Sequence, residues 1–447
     1  MATIKKIIKN YNLLYLFIFI FFSVNLIVSI LIALKSPYNI HPDEYTTKGA
    51  IDYYLLNWKI PDVRSDLVSN SFCVYGFTRL HELNLFYLLA GKIGYLAKYV
   101  FNIDNYYRMF NILLLLIMYI IVNLKAKKNL WIIFPFVLTP QVWYIFSYAT
   151  SDGFDFFLMF ICIYQFVVKD SMLNEILNES ISIKKIYRFI LIGLLFALIL
   201  MSKANYYIIL ITSFIVLIKK LFSSDKLKIK SNIKKYFLIL SCCLIIFSLR
   251  YSIEIYHYGF NKSSVLNTLT NEKAEYPFKL STPIDEKYPT LLLHQRGESL
   301  TNILFEREFF KSSFTSFVGT YGYLQFPSSN LYNIAILLLY IILIIFLCYY
   351  NFVYIKSEGK TYKKNLLLFL LIVFCILLSL CLSIYNSWFV DFQPQGRYLL
   401  PMIFPLTILT LFNKKIWSNK YFLILNIFLI ILSTYSYIFF GLKNLIQ

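Results

Sequence analysis

The sequence predicts an all-α protein that crosses a membrane many times, and three observations support this fold class. Of the 447 residues, 59% are hydrophobic and only 15% are charged, and the mean hydropathy is +0.64. A soluble domain of this size is much less apolar. Short lysine-rich segments separate the apolar runs, so the net charge of +20 indicates the positive-inside pattern and not a nucleic-acid partner.

The apolar runs predict about eleven transmembrane helices. The first, residues 12–34, follows a basic N-terminus and is too long for a cleaved signal, so we interpret it as an uncleaved signal anchor. The next nine spans are predicted at residues 106–124, 130–149, 152–168, 189–201, 206–218, a run ending near 254, 331–354, 365–385 and 398–412. The eleventh span ends near residue 440.

Two long segments, residues 36–106 and 256–330, are predicted to lie outside and to carry interfacial helices. Residues 83–100 are apolar enough to suggest a further span, but Lys92 and Lys98 would be costly in hydrocarbon. If this run crossed, every later loop would change sides and the lysine bias would reverse. We therefore expect residues 83–100 to lie along the membrane surface.

This topology places the N-terminus in the cytoplasm and the active face outside. The abundance of Ile, Asn and Lys is typical of an AT-rich bacterial genome, so we expect a multi-pass protein of the bacterial inner (cytoplasmic) membrane. Residues 1–447 are predicted to form one membrane domain, with no C-terminal soluble domain after the last span.

The first candidate site is the stretch His41-Pro42-Asp43-Glu44, just beyond the first span. Pro42 fixes a turn there, and acids at a membrane boundary usually meet a cation, a metal or a reacting proton. His41 and Glu44 could bind a divalent metal, the one cofactor that the sequence suggests. The simpler explanation is that the two acids open the next helix, where they suit the helix dipole.

Two further candidate sites carry Asp152, Asp155 and Lys203. The two aspartates, within Ser151-Asp152-Gly153-Phe154-Asp155, fall on one helical face at the start of the fourth span. A role as helix N-cap explains Asp152, whereas Asp155 lies nearly a turn into the membrane and is harder to explain. Lys203 lies on the outer side, against the positive-inside pattern, and a snorkelling lysine is the ordinary explanation.

The fourth candidate site is Gln393-Pro394-Gln395-Gly396-Arg397-Tyr398, followed by Leu-Leu-Pro. An arginine at the outer start of a span is costly unless it meets an anion, and its planar fork suits a phosphate. Carboxylates and cations on one membrane face suit transfer of a sugar from a lipid phosphate, which needs a base for the incoming hydroxyl and positive charge for the leaving phosphate. The sequence has no Gly-rich phosphate loop, so a soluble nucleotide-sugar donor is not expected.

The arrangement of these motifs is similar to that of the GT-C superfamily of polyprenyl-phosphate-sugar-dependent glycosyltransferases. That superfamily shares an outer acidic pair after span 1, a second acid near spans 3 and 4, and a long interfacial first loop. Within it, the chain resembles a bacterial integral-membrane family with PDE and QGRYLLP motifs. The resemblance covers most of the chain and is carried by Pro42-Asp43-Glu44, Ser151-Asp152-Gly153, Phe317-Val318-Gly319-Thr320-Tyr321-Gly322 and Gln395-Gly396-Arg397-Tyr398-Leu399-Leu400-Pro401.

The resemblance implies a GT-C-like helical bundle, an enzyme, and a role for each candidate residue. Its implied partners are the lipid bilayer, a polyprenyl-phosphate-linked sugar donor, and a glycan, lipid or protein acceptor. One departure is that such families often carry a histidine shortly after the acidic pair, where Tyr45-Thr46-Thr47-Lys48 stands here. The implied roles are catalysis for Asp43 (the base), Glu44 and Asp152, donor-phosphate binding for Arg397, Lys203, Gln395 and Tyr398, and support from Asp155 and His41.

Two other classes of function remain open from the sequence. A transporter or flippase of a lipid-linked glycan would use the same charges for passage, and it predicts charged residues along a route to both membrane faces. A non-catalytic assembly subunit predicts that the outer charged residues do not converge.

Overall fold

The computed structural model describes residues 2–126, 129–222 and 226–446, and it is predominantly helical. The predicted fold class, an all-α polytopic membrane protein, is therefore confirmed. In the described part of the chain, eight helical segments are long and apolar enough to cross a membrane: Tyr15–Lys35, Tyr106–Lys125, Ser151–Asn178, Ala204–Phe222, Lys228–Tyr258, Asn330–Ser357, Tyr362–Phe389 and Lys420–Leu445.

The helices are numbered in chain order. The first nine are α1 (Ala2–Lys35), α2 (Glu44–Leu56), α3 (Phe86–Tyr99), α4 (Met109–Lys125), α5 (Phe134–Val137), α6 (Gln141–Tyr144), α7 (Ser151–Val167), α8 (Met172–Asn178) and α9 (Ile186–Leu200). The others are α10 (Tyr207–Phe222), α11 (Lys226–Tyr258), α12 (Lys262–Lys273), α13 (Phe309–Gly319), α14 (Asn330–Ser357), α15 (Tyr362–Phe389), α16 (Ile403–Phe412), α17 (Lys420–Ser436) and α18 (Lys443–Leu445).

A small antiparallel hairpin and several 3-10 turns complete the parts of the fold that position the site. The hairpin pairs β1 (Thr320–Tyr321) with β2 (Phe326–Pro327). The 3-10 turns that bear on the site are Arg79–His81, Leu130–Ile133, Ala204–Tyr206 and Gly396–Met402.

The span predicted at residues 130–149 is not one continuous helix. It consists of the 3-10 turn Leu130–Ile133 and the four-residue helices α5 and α6. Pro135 lies in the first turn of α5 and Pro140 directly precedes α6; neither has an N–H to continue a helical ladder. All of residues 132–150 are buried, and irregular backbone at membrane depth is tolerated where protein surrounds it.

Two other predicted spans are present as shorter helical segments. The run predicted at 189–201 is the 15-residue α9. The run predicted at 398–412 is the 3-10 turn Gly396–Met402 continued by α16. The interfacial run predicted at 83–100 contains α3, whose 14 residues are fewer than the roughly 20 that a transmembrane helix needs.

The core lies where α1, α4, α7, α16 and α17 pack together. Its centre holds Phe22, Phe136 and Trp143, each at most 1% exposed. Phe22 meets both other rings at steep angles, with centroids 4.9–5.1 Å apart, the geometry that aromatic quadrupoles favour. This packing joins the middle of α1 to α5 and α6.

Candidate functional site

Side chains from four separate segments meet at one end of the helical bundle. Arg397 donates from Nη2 to Oδ2 of Asp43 over 2.8 Å. Lys203 donates from Nζ to Oδ1 of Asp152 over 2.8 Å. Nη1 of Arg397 lies 3.9 Å from Oδ2 of Asp152, so Arg397 links the two acids. The residues that the sequence singled out at 43, 152, 203 and 397 thus form one cluster, which we name the charged cluster.

Asp43 lies in a strained backbone conformation that turns its carboxylate toward Arg397. Its φ of 58° and ψ of 13° are left-handed, which is uncommon for a residue other than glycine. Its side chain makes no capping hydrogen bond to α2, although helix opening is the simpler explanation for an acid here. Its backbone N–H instead donates to the hydroxyl of Tyr323 over 2.9 Å.

The charge of Asp43 is set by its cationic neighbours. Its side chain is 40% exposed, and its partial burial acts to raise the pKa of the carboxyl. The charge of Arg397, followed by that of Arg79, outweighs this and holds the pKa well below its ordinary value. Asp43 is therefore ionised at neutral pH. How readily it accepts a proton depends on how closely Arg397 stays paired with it.

Asp152 belongs to the cluster because another residue caps α7. Thr150 is the N-cap, and its hydroxyl accepts from the backbone N–H of Asp152; the sequence-based explanation of Asp152 as the N-cap is wrong. Asn111 fixes the approach to this helix by donating to the carbonyls of Tyr148 and Thr150 over 2.6 and 2.9 Å. The fully buried carboxylate of Asp152 is therefore free to pair with a lysine.

Lys203 provides that pairing from the turn between α9 and α10. Burial acts to lower the pKa of its ammonium, but the charge of Asp152 outweighs burial and raises the pKa above its ordinary value. Lys203 is therefore a fixed cation. Its side chain, 27% exposed, is held by a specific acid, which a snorkelling lysine would not need.

The segment after α13 holds the Asp43 turn in place. Gly322, with φ +62°, donates from its backbone N–H to the hydroxyl of Tyr144 over 2.9 Å. The next residue, Tyr323, is the one that accepts from Asp43. The motif Phe317-Val318-Gly319-Thr320-Tyr321-Gly322 is thus a support for the acidic turn.

Arg397 is positioned by a close backbone contact between two motifs. A Cβ on Gly396 would lie 2.1 Å from the backbone nitrogen of Phe317, so only glycine fits there. The backbone N–H of Gly396 donates to Oγ of Ser316 over 2.6 Å. This contact fixes the backbone position from which the side chain of the following residue, Arg397, projects.

Arg397 retains unused hydrogen-bonding capacity. Its side chain is only 8% exposed, and its Nε and Nη1 have no hydrogen-bond partner in the described part of the chain. Buried donors without partners are costly. An anion next to Arg397 would satisfy them, and a phosphate matches the geometry of the guanidinium fork.

A cavity of about 370 Å³ adjoins the cluster. Lys203, Gln393 and Tyr398 line it together with the C-terminal part of α15, including Leu382 and Tyr385. Its volume lies within the range of ligand sites, about 300–1,000 Å³. The cavity has a cationic end and an apolar wall, which suits an amphiphile with an anionic head.

The structure adds Arg79, which the sequence-based analysis did not identify. Nη2 of Arg79 lies 3.7 Å from Oδ2 of Asp43, and its Nη1 donates to Glu82 over 3.2 Å. Thr78 caps the 3-10 turn that presents Arg79. The one sequence feature that could have indicated Arg79 is its charge within a long outer loop. Nothing in the sequence connects residue 79 with residue 43.

Glu44 does not join the cluster, although the resemblance placed it there. Arg108 donates to both carboxylate oxygens, from Nε over 2.7 Å and from Nη2 over 2.8 Å, and both side chains are fully buried. Nη1 of Arg108 also donates to Oγ and the carbonyl of Ser36. Glu44 therefore joins α2 to the end of α1 and does not face an acceptor.

His41 is likewise fully engaged by protein groups. Its ring nitrogens lie 2.8 Å from Oγ of Ser36 and 2.8 Å from the hydroxyl of Tyr144. Burial and the charge of Arg108 hold its pKa well below its ordinary value, so it is neutral. His41 and Glu44 do not fit a metal site, and among the described residues no group of three or more His, Cys, Asp or Glu side chains is arranged to hold one.

The remaining candidate residues lie around the cluster. Oδ1 of Asp155 accepts from Nδ2 of Asn84 over 2.9 Å, which explains a carboxylate at this depth. The hydroxyl of Tyr398 lies 3.4 Å from Nη2 of Arg397. Gln395 contributes backbone as the N-cap of the Gly396–Met402 turn, and its side chain makes no capping bond.

The fold and the site define a multi-pass helical membrane protein with a charged cluster at one end of its bundle. A family model described as predicted membrane protein (DUF2142) matches residues 105–406, more than half of the chain, and the chain belongs to that family. No curated protein and no solved structure matches the chain. The matched region includes Asp152, Lys203 and Arg397, and the Asp43 turn precedes it.

Proposed function

We propose that the protein is a glycosyltransferase of the GT-C type, which moves a sugar from a polyprenyl phosphate to a glycan, lipid or protein acceptor on the outer face of the bacterial inner membrane. The observation that carries the proposal is Arg397, which pairs with Asp43 and retains two buried donor nitrogens, while its neighbours Lys203 and Tyr398 line a cavity with an apolar wall. A base, a phosphate contact and space for a lipid-linked ligand are thereby adjacent.

In the proposed reaction, the acceptor hydroxyl attacks the anomeric carbon of the donor sugar. The bond from that carbon to the phosphate oxygen breaks, and the phosphate leaves with the electron pair. Asp43 takes the proton of the hydroxyl. Arg397 and Lys203 stabilise the charge that develops on the leaving phosphate.

Arg397 would also adjust the basicity of Asp43. With no anion bound, Arg397 keeps the pKa of Asp43 well below its ordinary value, which makes a poor base. A phosphate that draws the guanidinium away would raise this pKa, because an opposing charge is removed. Asp43 would then gain basicity when a donor is in place.

The convergence of the outer charges speaks against a purely structural subunit, for which they would not meet. A transporter would use the same charges on a route to both faces. Asp43→Asn distinguishes enzyme from transporter, since it removes a proton acceptor and leaves the size of the side chain and the cation positions nearly unchanged.

The test uses two variants of the full-length protein in nanodiscs, with polyprenyl monophosphate as the binding probe and a panel of polyprenyl-phosphate sugars as donors. Asp43→Asn should bind the probe at least as tightly as the parent, because Arg397 loses its competitor. Its transfer rate should fall about 100-fold or more. Arg397→Lys keeps the charge but loses the planar fork, so its affinity for the probe should fall.

Two outcomes would contradict the proposal. One is a parent-like transfer rate in a well-folded Asp43→Asn variant, which would remove Asp43 as the base. The other is equal affinity of the parent and Arg397→Lys for polyprenyl monophosphate, which would make Arg397 a structural residue only.

A further inference from the structure

A second cavity lies far from the charged cluster. It has a volume of about 600 Å³ and is lined by residues of α7, α10, α14, α15 and α16. Lys203 precedes the N-terminal end of α10, whereas Lys219 and Lys220 lie in the last turn of this 16-residue helix. At 1.5 Å per residue, α10 separates the two regions by about 24 Å. The second cavity is therefore a separate site.

The interior of this cavity is apolar. Phe166 of α7, Val216 of α10, Leu368 of α15 and Phe412 of α16 contribute to its wall. The volume is within the range of about 300–1,000 Å³ that is usual for ligand sites. A ligand that fills it must therefore present mainly hydrocarbon to the protein.

The rim of the cavity carries positive charge from two separate segments. Lys219 and Lys220 come from α10, and Lys415 comes from the turn before α17. Lys220 donates to Oδ1 of Asn174 over 2.7 Å, which holds it at the rim. The ammonium of Lys219 lies 5.0 Å from the centre of the Phe412 ring, so this cation is placed over the apolar wall.

The positive charge of this rim is only partly compensated. Within the described residues, neither Lys219 nor Lys415 has a carboxylate within 4.0 Å. Glu358, at the end of α14, is the acid whose charge acts on Lys219 from a greater distance. Lys219 and Lys415, with Glu358 as the one distant acid that acts on Lys219, leave a net positive rim around an apolar interior.

We propose that this cavity binds an anionic phospholipid from the lysine-rich side of the membrane, with its head group at Lys219, Lys220 and Lys415 and an acyl chain inside. The charge of the rim selects the anionic head, and the apolar wall selects a chain. Basic pockets between transmembrane helices on the cytoplasmic side are suited to such head groups. The inference is independent of the proposed glycosyltransferase activity.

The experiment is native mass spectrometry of the full-length protein with phosphatidylglycerol or zwitterionic phosphatidylethanolamine. Lys219→Gln/Lys415→Gln removes two charges of the rim. Lys363→Gln/Lys364→Gln is the matched control, because it removes two exposed lysines near the start of α15 that do not line the cavity. Two lysines near an anionic head should be worth about 30-fold in affinity.

We expect the parent and the control to retain phosphatidylglycerol in preference to phosphatidylethanolamine, and the rim variant to lose about 30-fold in that affinity. Equal loss in the rim and control variants would show adsorption to a generally basic face and overturn the proposal. Equal retention of the two lipids by the parent would also overturn it. Thermal unfolding of each variant without added lipid shows whether the fold is intact.

Discussion

Two adjacent acids, Asp43 and Glu44, have different surroundings in this protein. The Asp43 side chain is 40% exposed and shares Arg397 with Asp152, whereas Glu44 is fully buried in a bidentate pair with Arg108. A partly exposed pair adjusts charge and contributes little to stability. A buried pair cannot lose one partner without leaving the other charge uncompensated.

Glu44→Gln should therefore destabilise the protein far more than Asp43→Asn. Removing one partner of a buried ion pair costs about 3–5 kcal/mol, because Arg108 would keep its charge in a fully buried position. Thermal or denaturant unfolding in detergent measures the difference. If Glu44→Gln unfolds like the parent and instead loses only activity, Glu44 belongs to the reacting groups after all.

The candidate residues that could be predicted are charged residues whose energetic cost can be recognised from the neighbouring sequence. Asp152, Lys203 and Arg397 are charged groups at the edges of apolar runs, where each needs a partner, and the structure provides one. Arg79 lies in polar surroundings in the sequence, whereas Arg108 lies at the start of the span predicted at residues 106–124 and could have been singled out on the same ground. Their partners are set by how the first outer segment folds back on α1 and α2, and no local pattern encodes this.

At the scale of elements, the Gly396–Met402 turn is fixed by its contact with α13. Gly396 approaches the backbone of Phe317 too closely for any side chain. The two motifs that flank this contact are far apart in sequence, and each was identified separately by resemblance. The structure shows that they act together: one carries Arg397 and the other supports the turn of Asp43 through Tyr323.

Gly396→Ala should lower both the stability and the affinity for polyprenyl monophosphate. The added Cβ would lie 2.1 Å from a backbone atom, and forced overpacking typically costs about 1–3 kcal/mol. Gly94→Ala in α3 is the matched control, because its Cβ would make ordinary contacts at 3.4 Å and alanine favours a helix. Equal effects of both substitutions on unfolding and binding would show that the contact is not specific.

The broken segment at residues 130–149 explains where prediction of elements failed. Its apolar composition matches that of a span, and composition determined the prediction. Whether such a run forms a continuous helix depends on what surrounds it. Pro135 and Pro140 interrupt the helical hydrogen-bond ladder. Burial by neighbouring helices makes this interruption tolerable at membrane depth.

At the scale of the whole molecule, the two cavities lie at opposite ends of the interface between α10 and α15. The polar groups of the charged cluster are at the end where the outer segments are predicted. The lysines of the second cavity are at the other end, in agreement with the positive-inside pattern. The lysine bias thus predicts that the end with the charged cluster faces outside, where the proposed chemistry would take place.

The orientation can be measured with single cysteines in a variant without the seven natural ones. Asp104→Cys lies before α4 and is exposed; Lys184→Cys lies before α9 and is exposed too. We expect an impermeant reagent applied outside intact cells to label position 104, and position 184 only after permeabilisation. The reverse pattern would mean that residues 83–100 cross the membrane.

The linkage of two acids through Arg397 also has a consequence for synthesis of the chain. Arg397 follows Asp43 by 354 residues, so at ~5–20 residues per second roughly 20–70 s pass before the ribosome supplies it. Arg79 and Lys203 are translated much sooner after the acids that they contact. The nascent chain can therefore compensate each carboxylate early, and the last cation to arrive completes the cluster only when most of the protein is already in the membrane.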